Sequence, residues 1–206
     1  VKIRRTRWAD LWRPELRGRI VLPEISHSIG WYIIPIGAVA AGKPFGDEEA
    51  GFAMLKRMVD LRPIWAKDTD TMMNSMRTGD AVIGILYKSQ TFTVKGYGAP
   101  VEWVYPKEGG IAYTSGTCIA KGTKNLDAAE QYINTTMDPN VQTFAAHIYN
   151  YGGTNKETIS KLSPELQERV RFPQEQLDRL IKLDLGMMTD KRAAWVERWN
   201  KTVAGG

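Results

Sequence analysis

The chain has 206 residues, 43% hydrophobic and 25% charged, with 28 Lys and Arg against 23 Asp and Glu for a net charge of +5. This composition supports a substantial core in an ordinary soluble globular chain, with room for one or two domains. Acidic residues are interspersed with the basic ones and no nucleic-acid motif or basic stripe occurs, so the charge does not point to a nucleic-acid partner.

The basic run Lys2-Ile-Arg-Arg-Thr-Arg7 reads as a solvated terminal segment. Trp8 and Trp12 stand four apart, on one face of a short helix that Pro14 ends. Gly18 to Pro23 reads as a compact strand between turn residues. Glu24 to Ser28 then leads into the apolar run Ile29 to Ala41, a buried helix bent or reset at Pro35 and closed by Gly42. A strand feeding a helix through Ser26-His27-Ser28 puts hydroxyls and free amides at a helix N-terminus, which suits a polar or anionic group or plain capping by a serine.

Asp47 to Leu61 reads as an amphipathic helix: Phe52, Leu55, Met58 and Val59 recur at helical spacing behind an Asp47 cap. Thr69 to Met76 is a further short helix, with Met72, Met73 and Met76 as core. Ala81 to Leu86 is near-continuously apolar, as a strand buried on both faces of a parallel sheet would be. Tyr87-Lys-Ser-Gln90 follows at its C-terminal end, where open α/β sheets meet ligands.

A helix over Gln90 to Lys95 leads to a strand over Val101 to Tyr105, and Tyr105-Pro-Lys-Glu-Gly-Gly110 reads as a crossing between two lobes. Tyr113 and Ser115 lie just past that crossing. Thr117 to Ala120 is apolar, and Cys118, the single cysteine, is expected there as a small buried hydrophobe. One cysteine also excludes an intramolecular disulfide and a cysteine-rich zinc site. Asn125 caps a helix over Leu126 to Met137 whose apolar face is Leu126, Ala129, Tyr132 and Ile133. Pro139 starts another through Val141, Phe144, Ala145 and Ile148, and Asn150 to Asn155 is a loop. Helical pieces separated by Pro164 and Pro173 follow, ending in a helix with Trp195 and Trp199 one turn apart. No stretch approaches the roughly 18 apolar residues of a membrane span, and none reads as a signal peptide.

Catalytic signatures are absent from this pattern. His27 and His147 lack zinc-site spacing, Tyr113-Thr-Ser115-Gly116 does not match a nucleophile elbow, and no phosphate-binding glycine motif occurs. Asp68 with Asp70, and Glu48 with Glu49, are explained by helix caps and solvated faces. The residues that remain are aromatic and hydroxyl side chains at strand ends and loops: Tyr87, Tyr113, Ser115 and Tyr151. Together they suggest a cleft that holds a small organic molecule by stacking and hydrogen bonding, with no cofactor or metal.

An ordered set of motifs resembles the extracellular solute-binding proteins of ABC importers, nearest their spermidine/putrescine-binding branch. It comprises Trp8-Ala-Asp-Leu-Trp-Arg-Pro-Glu-Leu-Arg-Gly-Arg-Ile, Tyr105-Pro-Lys-Glu-Gly-Gly-Ile, Lys121 to Asn134, Met137-Asp-Pro, Tyr151-Gly-Gly-Thr-Asn155 and Trp195-Val-Glu-Arg-Trp-Asn200. The resemblance implies an α/β, type II periplasmic-binding-protein fold, present here incompletely. Residues 1–112 and 156–206 are expected to form the second lobe, and 113–155 the returning part of the first. Family members begin with a signal peptide and a first-lobe segment, and this chain starts where the second lobe normally begins. The first-lobe part is therefore expected to be rearranged, disordered or covered by another chain, including a second copy of this one.

By the same resemblance the protein is a non-catalytic, periplasmic or extracellular receptor that passes a small solute to an ABC membrane permease. The alternatives are an enzyme on the same bilobal fold, or a fragment without ligand binding. The aromatic contacts of the polyamine branch match Tyr87, Tyr113 and Tyr151, and a polar contact near the C-terminus matches Asn200. The branch's acidic positions fall near Ile25, Ser28 and Ser115, so a multiply charged polyamine lacks its carboxylates here. Aromatic faces would still hold a singly cationic or quaternary ligand, and the helix start at Ser26 and Ser28 would hold a carboxylate.

Overall fold

A computed structural model describes residues 6–112, 115–182 and 184–204 of the chain. Its centre is a parallel sheet of three strands in the order β2-β1-β3, formed by β1 (Ile20–Pro23), β2 (Ile64–Ala66) and β3 (Ile83–Gly84). Val21 lies opposite Ile64 on one side and Gly84 on the other. Every residue of β1 is buried, because both faces of the sheet are covered. Ile20 and Leu22 enter the larger core, whereas Val21 points the other way and packs with Ala66, Met72 and Ala81.

The larger core lies under α1 (Ile33–Ala40) and α2 (Glu48–Asp60), which separate β1 from β2 in the chain. Pro35 falls in the first turn of α1, where its missing N–H breaks no helical bond. A 3-10 turn over Gly30–Tyr32 precedes it, so the change of helical geometry comes just before the proline. The Asp47 carboxylate caps α2 by accepting from the Ala50 amide at 3.0 Å. A methyl group on Gly51 would stand 2.4 Å from the Ile34 carbonyl oxygen, so the two helices meet backbone to backbone at this glycine. The Trp12 indole donates to the Met54 carbonyl at 2.8 Å, and the Trp8-to-Trp12 segment is a 3-10 turn rather than an α-helix.

On the opposite face lies α3 (Thr69–Thr78), capped by Asp68, with Met72 fully buried. It is followed by β3 and α4 (Lys88–Gly96). The apolar run 81–86 yields only a two-residue strand: Ile83 to Leu86 are half-buried and Val82 is exposed. Among the described residues β3 pairs with β1 alone, so it is an edge and not a strand enclosed on both sides. Residues 101–105 are not a strand either. They are held by side chains: Trp103 meets Tyr105 and Phe172 edge-on, at ring-centre distances of 5.9 and 5.8 Å.

Residues 109–111 run beside residues 179–181. The Ile181 amide donates to the Gly110 carbonyl at 2.8 Å, Ile111 pairs with Ile181 in a parallel bridge, and the Trp8 indole donates to the Gly109 carbonyl at 2.9 Å. Gly109 has φ +114°, and a Cβ there would stand 2.1 Å from the Arg179 carbonyl oxygen, so only glycine fits.

Beyond the crossing, α5 (Leu126–Thr136) and α6 (Pro139–Tyr149) bury almost none of their apolar stripe: Tyr132 is 65% and Phe144 68% exposed. Asn125 precedes α5 without a side-chain cap bond. Cys118, expected inside, is exposed, since residues 115–120 have no covering layer among the described residues. Ala146 of α6 packs instead with Leu162, Leu166 and Val170, from the region of α7 (Lys156–Lys161) and α8 (Pro164–Val170). α9 (Gln174–Asp178), α10 (Leu185–Asp190) and α11 (Arg192–Ala204) complete the chain. Trp195 and Trp199 of α11 are both buried in the larger core.

Candidate functional site

The carboxyl ends of the three parallel strands open onto one edge, where loops after β1, β2 and β3 meet. The Glu24 amide donates to the Ala66 carbonyl at 2.8 Å, continuing the β1–β2 ladder by one bond. The chain then turns sharply: the His27 amide donates to the Glu24 carbonyl and the Gly30 amide to the His27 carbonyl, both at 2.9 Å. A Cβ on Gly30 would lie 1.7 Å from the Glu24 carbonyl oxygen, so this turn requires glycine at its close.

Within the turn, Ser26 and Ser28 are exposed and His27 is buried. The serines cap no helix: the first residue before the 3-10 turn is Ile29, and its amide donates to His27 Nδ1 at 3.2 Å. The imidazole thus replaces a serine hydroxyl as the local acceptor, and the expected ligand-ready helix start at Ser26 to Ser28 is not formed. With Nδ1 accepting, Nε2 carries the proton and donates to Thr69 Oγ1 at 3.3 Å. Thr69 opens α3, and Gln90 of α4 donates to the same hydroxyl at 3.5 Å while accepting from the Tyr87 amide at 3.2 Å. One threonine hydroxyl therefore joins the loops that follow all three strands. Burial lowers the His27 pKa, and the nearby Asp68 carboxylate works against that shift.

Tyr87 sits at this edge as the residue before α4, half-buried against the larger core. Asn200 lies on α11 and lines an open pocket of about 310 Å³ with Glu24, Trp65, Trp199, Val203 and Ala204. Trp65 and Trp199 meet edge-on with ring centres 4.9 Å apart, fixing the aromatic wall. Glu24 supplies a carboxylate at the pocket, 4.0 Å from Lys67 Nζ. Such a wall of indole, amide and carboxylate can hold the ammonium or hydroxyl end of a small polar molecule.

The remaining sequence-derived residues are dispersed. Tyr151 is 56% exposed and stacks on Tyr149, and Ser115 is exposed. Tyr113 lies outside the described residues. Glu24 and Trp65 were missed by sequence reasoning. Glu24 directly follows the predicted strand, at the position where α/β sheets present ligand contacts, and that was the available signal. Trp65 sits in a strand of three residues, too short to show a period. No group of three or more His, Cys, Asp or Glu suited to a metal occurs among the described residues.

An open-edged parallel sheet with helices on both faces and a polar, aromatic pocket at its carboxyl ends is the arrangement of an open α/β fold. The chain belongs to the bacterial extracellular solute-binding protein family, whose model matches residues 5–174. It is 27% identical over 170 residues to the spermidine/putrescine-binding periplasmic protein of Escherichia coli K12, covering 82% of this chain and 48% of that protein. An ABC transporter structure from Clostridium perfringens matches at TM-score 0.71 and 26% identity, over 98% of this chain and 63% of that one. A putative spermidine/putrescine ABC transporter from Listeria monocytogenes matches in fold at TM-score 0.80 and 20% identity, over 95% and 61% of the two chains. The chain thus spans about half the length of the curated relatives it matches. The solved relatives share the expected α/β periplasmic-binding-protein architecture, of which this chain covers part.

Proposed function

We propose that this chain is the ligand-presenting part of a non-catalytic solute receptor, which captures a small organic molecule between two lobes and delivers it to an ABC membrane permease from the periplasm. The observation that carries this reading is the pocket of Glu24, Trp65 and Asn200 at the carboxyl ends of the parallel strands, with Tyr87 on the same edge, in a chain of the solute-binding family. Residues 1–112 and 156–206 serve as the second lobe and 113–155 as the returning part of the first. The exposed stripe of α5 and α6 is then the surface against which further first-lobe sequence or a second copy packs.

With Glu24 the one carboxylate lining the pocket among the described residues, the solute class favoured is a small molecule bearing one ammonium group rather than an extended polyamine. Tyr113 and Tyr151, with Ser115, contribute from the opposing lobe once it closes. Isothermal titration of the complete gene product against monoamines, polyamines, amino acids and organic acids tests the reading. Saturable binding of a monocationic solute, weakened by Glu24→Gln and by Trp65→Ala, supports it. Turnover of any of these compounds, or no binding in any class, overturns it.

A further inference from the structure

Lysine at the first position of a helix is electrostatically unfavourable, because the helix N-terminus already carries partial positive charge. Lys88 occupies that position in α4, directly after Tyr87. Its ammonium is drawn to a different helix end. Nζ donates to the main-chain carbonyls of Glu168 at 3.0 Å and Arg171 at 2.7 Å, where α8 terminates. Three aromatic rings surround the same nitrogen: Phe172 at 4.8 Å, Trp103 at 5.3 Å and Phe92 at 6.0 Å from ring centre. The walls support one another, since Trp103 and Phe172 pack edge-on at 77°.

Burial lowers the Lys88 pKa, while the charge of Glu168 acts in the opposite direction. Two carbonyl oxygens and three ring faces take the place of the water this ammonium has lost, the arrangement by which aromatic boxes recognise ammonium ligands. The segments involved form two groups far apart in the chain: α4 with residues 101–105, and the end of α8 with Phe172. α8 in turn belongs to the small core with Ala146 and Leu162. Lys88 therefore links the sheet-bearing unit to the α6–α8 unit, alongside Arg169 of α8, whose guanidinium lies 5.8 Å from the centre of the Phe92 ring.

We propose that Phe92, Trp103, Phe172 and the carbonyls of Glu168 and Arg171 form an ammonium-binding box filled by the chain's own Lys88, and that Lys88 is the positioning residue clasping α4, with Tyr87 at its start, to α8. The clasp is independent of which solute the pocket takes, and its test requires no solute.

Two measurements decide it. Hydrogen exchange followed by mass spectrometry is compared for wild type and Lys88→Met, which keeps the apolar stem and removes the charge. Loss of one charge-assisted clasp speeds exchange of the α8 amides by roughly tenfold while α2 is unchanged. Lys88→Ala is then titrated with n-butylammonium chloride, against butanol and sodium chloride as controls. The amine raises the melting temperature of Lys88→Ala saturably and leaves wild type unmoved, because only the variant has an empty box. Should Lys88→Ala not fold unaided, the same series is read as recovery of folded signal on refolding. Unchanged α8 exchange in Lys88→Met, or an amine effect equal in variant and wild type or matched by butanol, overturns the proposal.

Discussion

His27 Nε2 and Thr69 Oγ1 lie 3.3 Å apart, and this contact fastens the loop after β1 to the start of the helix after β2. Gln90 shares the same hydroxyl, so the threonine accepts from the loop after β1 and from α4 at once. Thr69→Val keeps the shape and removes the acceptor, leaving a buried imidazole N–H without its partner. The expected loss is about 1–3 kcal/mol of unfolding free energy, read by urea denaturation, with the melting of the loops at the carboxyl ends of the strands preceding that of α2 in hydrogen exchange.

The same imidazole makes stability depend on pH. Burial holds the His27 pKa below its ordinary 6.5, so the unfolded chain binds a proton more readily than the folded one. Its contribution is complete above pH 6.5 and is lost as pH falls from there through the lower folded value. Melting temperatures of wild type and His27→Gln, measured from pH 8 to pH 5, are expected to diverge in slope below pH 6.5, wild type falling more steeply.

Glu48 at the start of α2 binds three groups of the last helix region. It accepts from Lys191 and from the Trp195 indole at 3.1 Å, and Arg198 lies 3.9 Å away. The hydrogen bond from Lys191, then that from Trp195, lowers its pKa below the ordinary 4.5. Its stabilisation is therefore present above pH 4.5 and lost as pH falls through the folded value. Glu48→Ala is expected to cost about 1–2 kcal/mol at neutral pH, chiefly through the buried indole N–H left unpaired. Chemical denaturation at pH 7 and again at pH 3 checks this, and the difference from wild type should shrink at the lower pH.

The contact of α1 with α2 depends on Gly51. An added methyl group would press on the Ile34 carbonyl and on Ile34 Cγ2 at 2.7 Å, and neither can move without shifting a helix. Gly51→Ala is expected to destabilise by about 1–3 kcal/mol through overpacking, despite alanine's better helix propensity. Gly46→Ala, where a Cβ meets nothing within 4 Å, serves as the matched control in thermal melts.

Helical periodicity, the Asp47 cap and the buried strand β1 were legible in the chain because each is encoded within a few neighbouring residues. Asp47 before Glu48, Phe52 with Leu55 and Met58, and Ile20 to Leu22 needed no distant information. The ordered motifs likewise placed the chain in its family. What lay beyond reach were features made by distant segments. β2 is three residues long and exists only because β1 offers it a ladder, while the apolar run 101–105 finds no strand partner among the described residues and stays irregular. Cys118 sits in an apolar run yet is exposed, because burial is a property of what packs above a segment.

The site divides in the same way. The sequence by itself determined that Tyr87 follows a strand and that Trp195 and Trp199 stand one turn apart on the last helix, since both depend on local pattern, whereas Asn200 was singled out by family resemblance alone. Only the tertiary structure decided that Glu24, Trp65 and Asn200 share one pocket, that His27 rather than a flanking serine organises the first loop, and that Lys88 reaches α8. Side-chain convergence across roughly a hundred residues leaves no periodic trace in the chain, because its energy comes from pairing and desolvation in three dimensions.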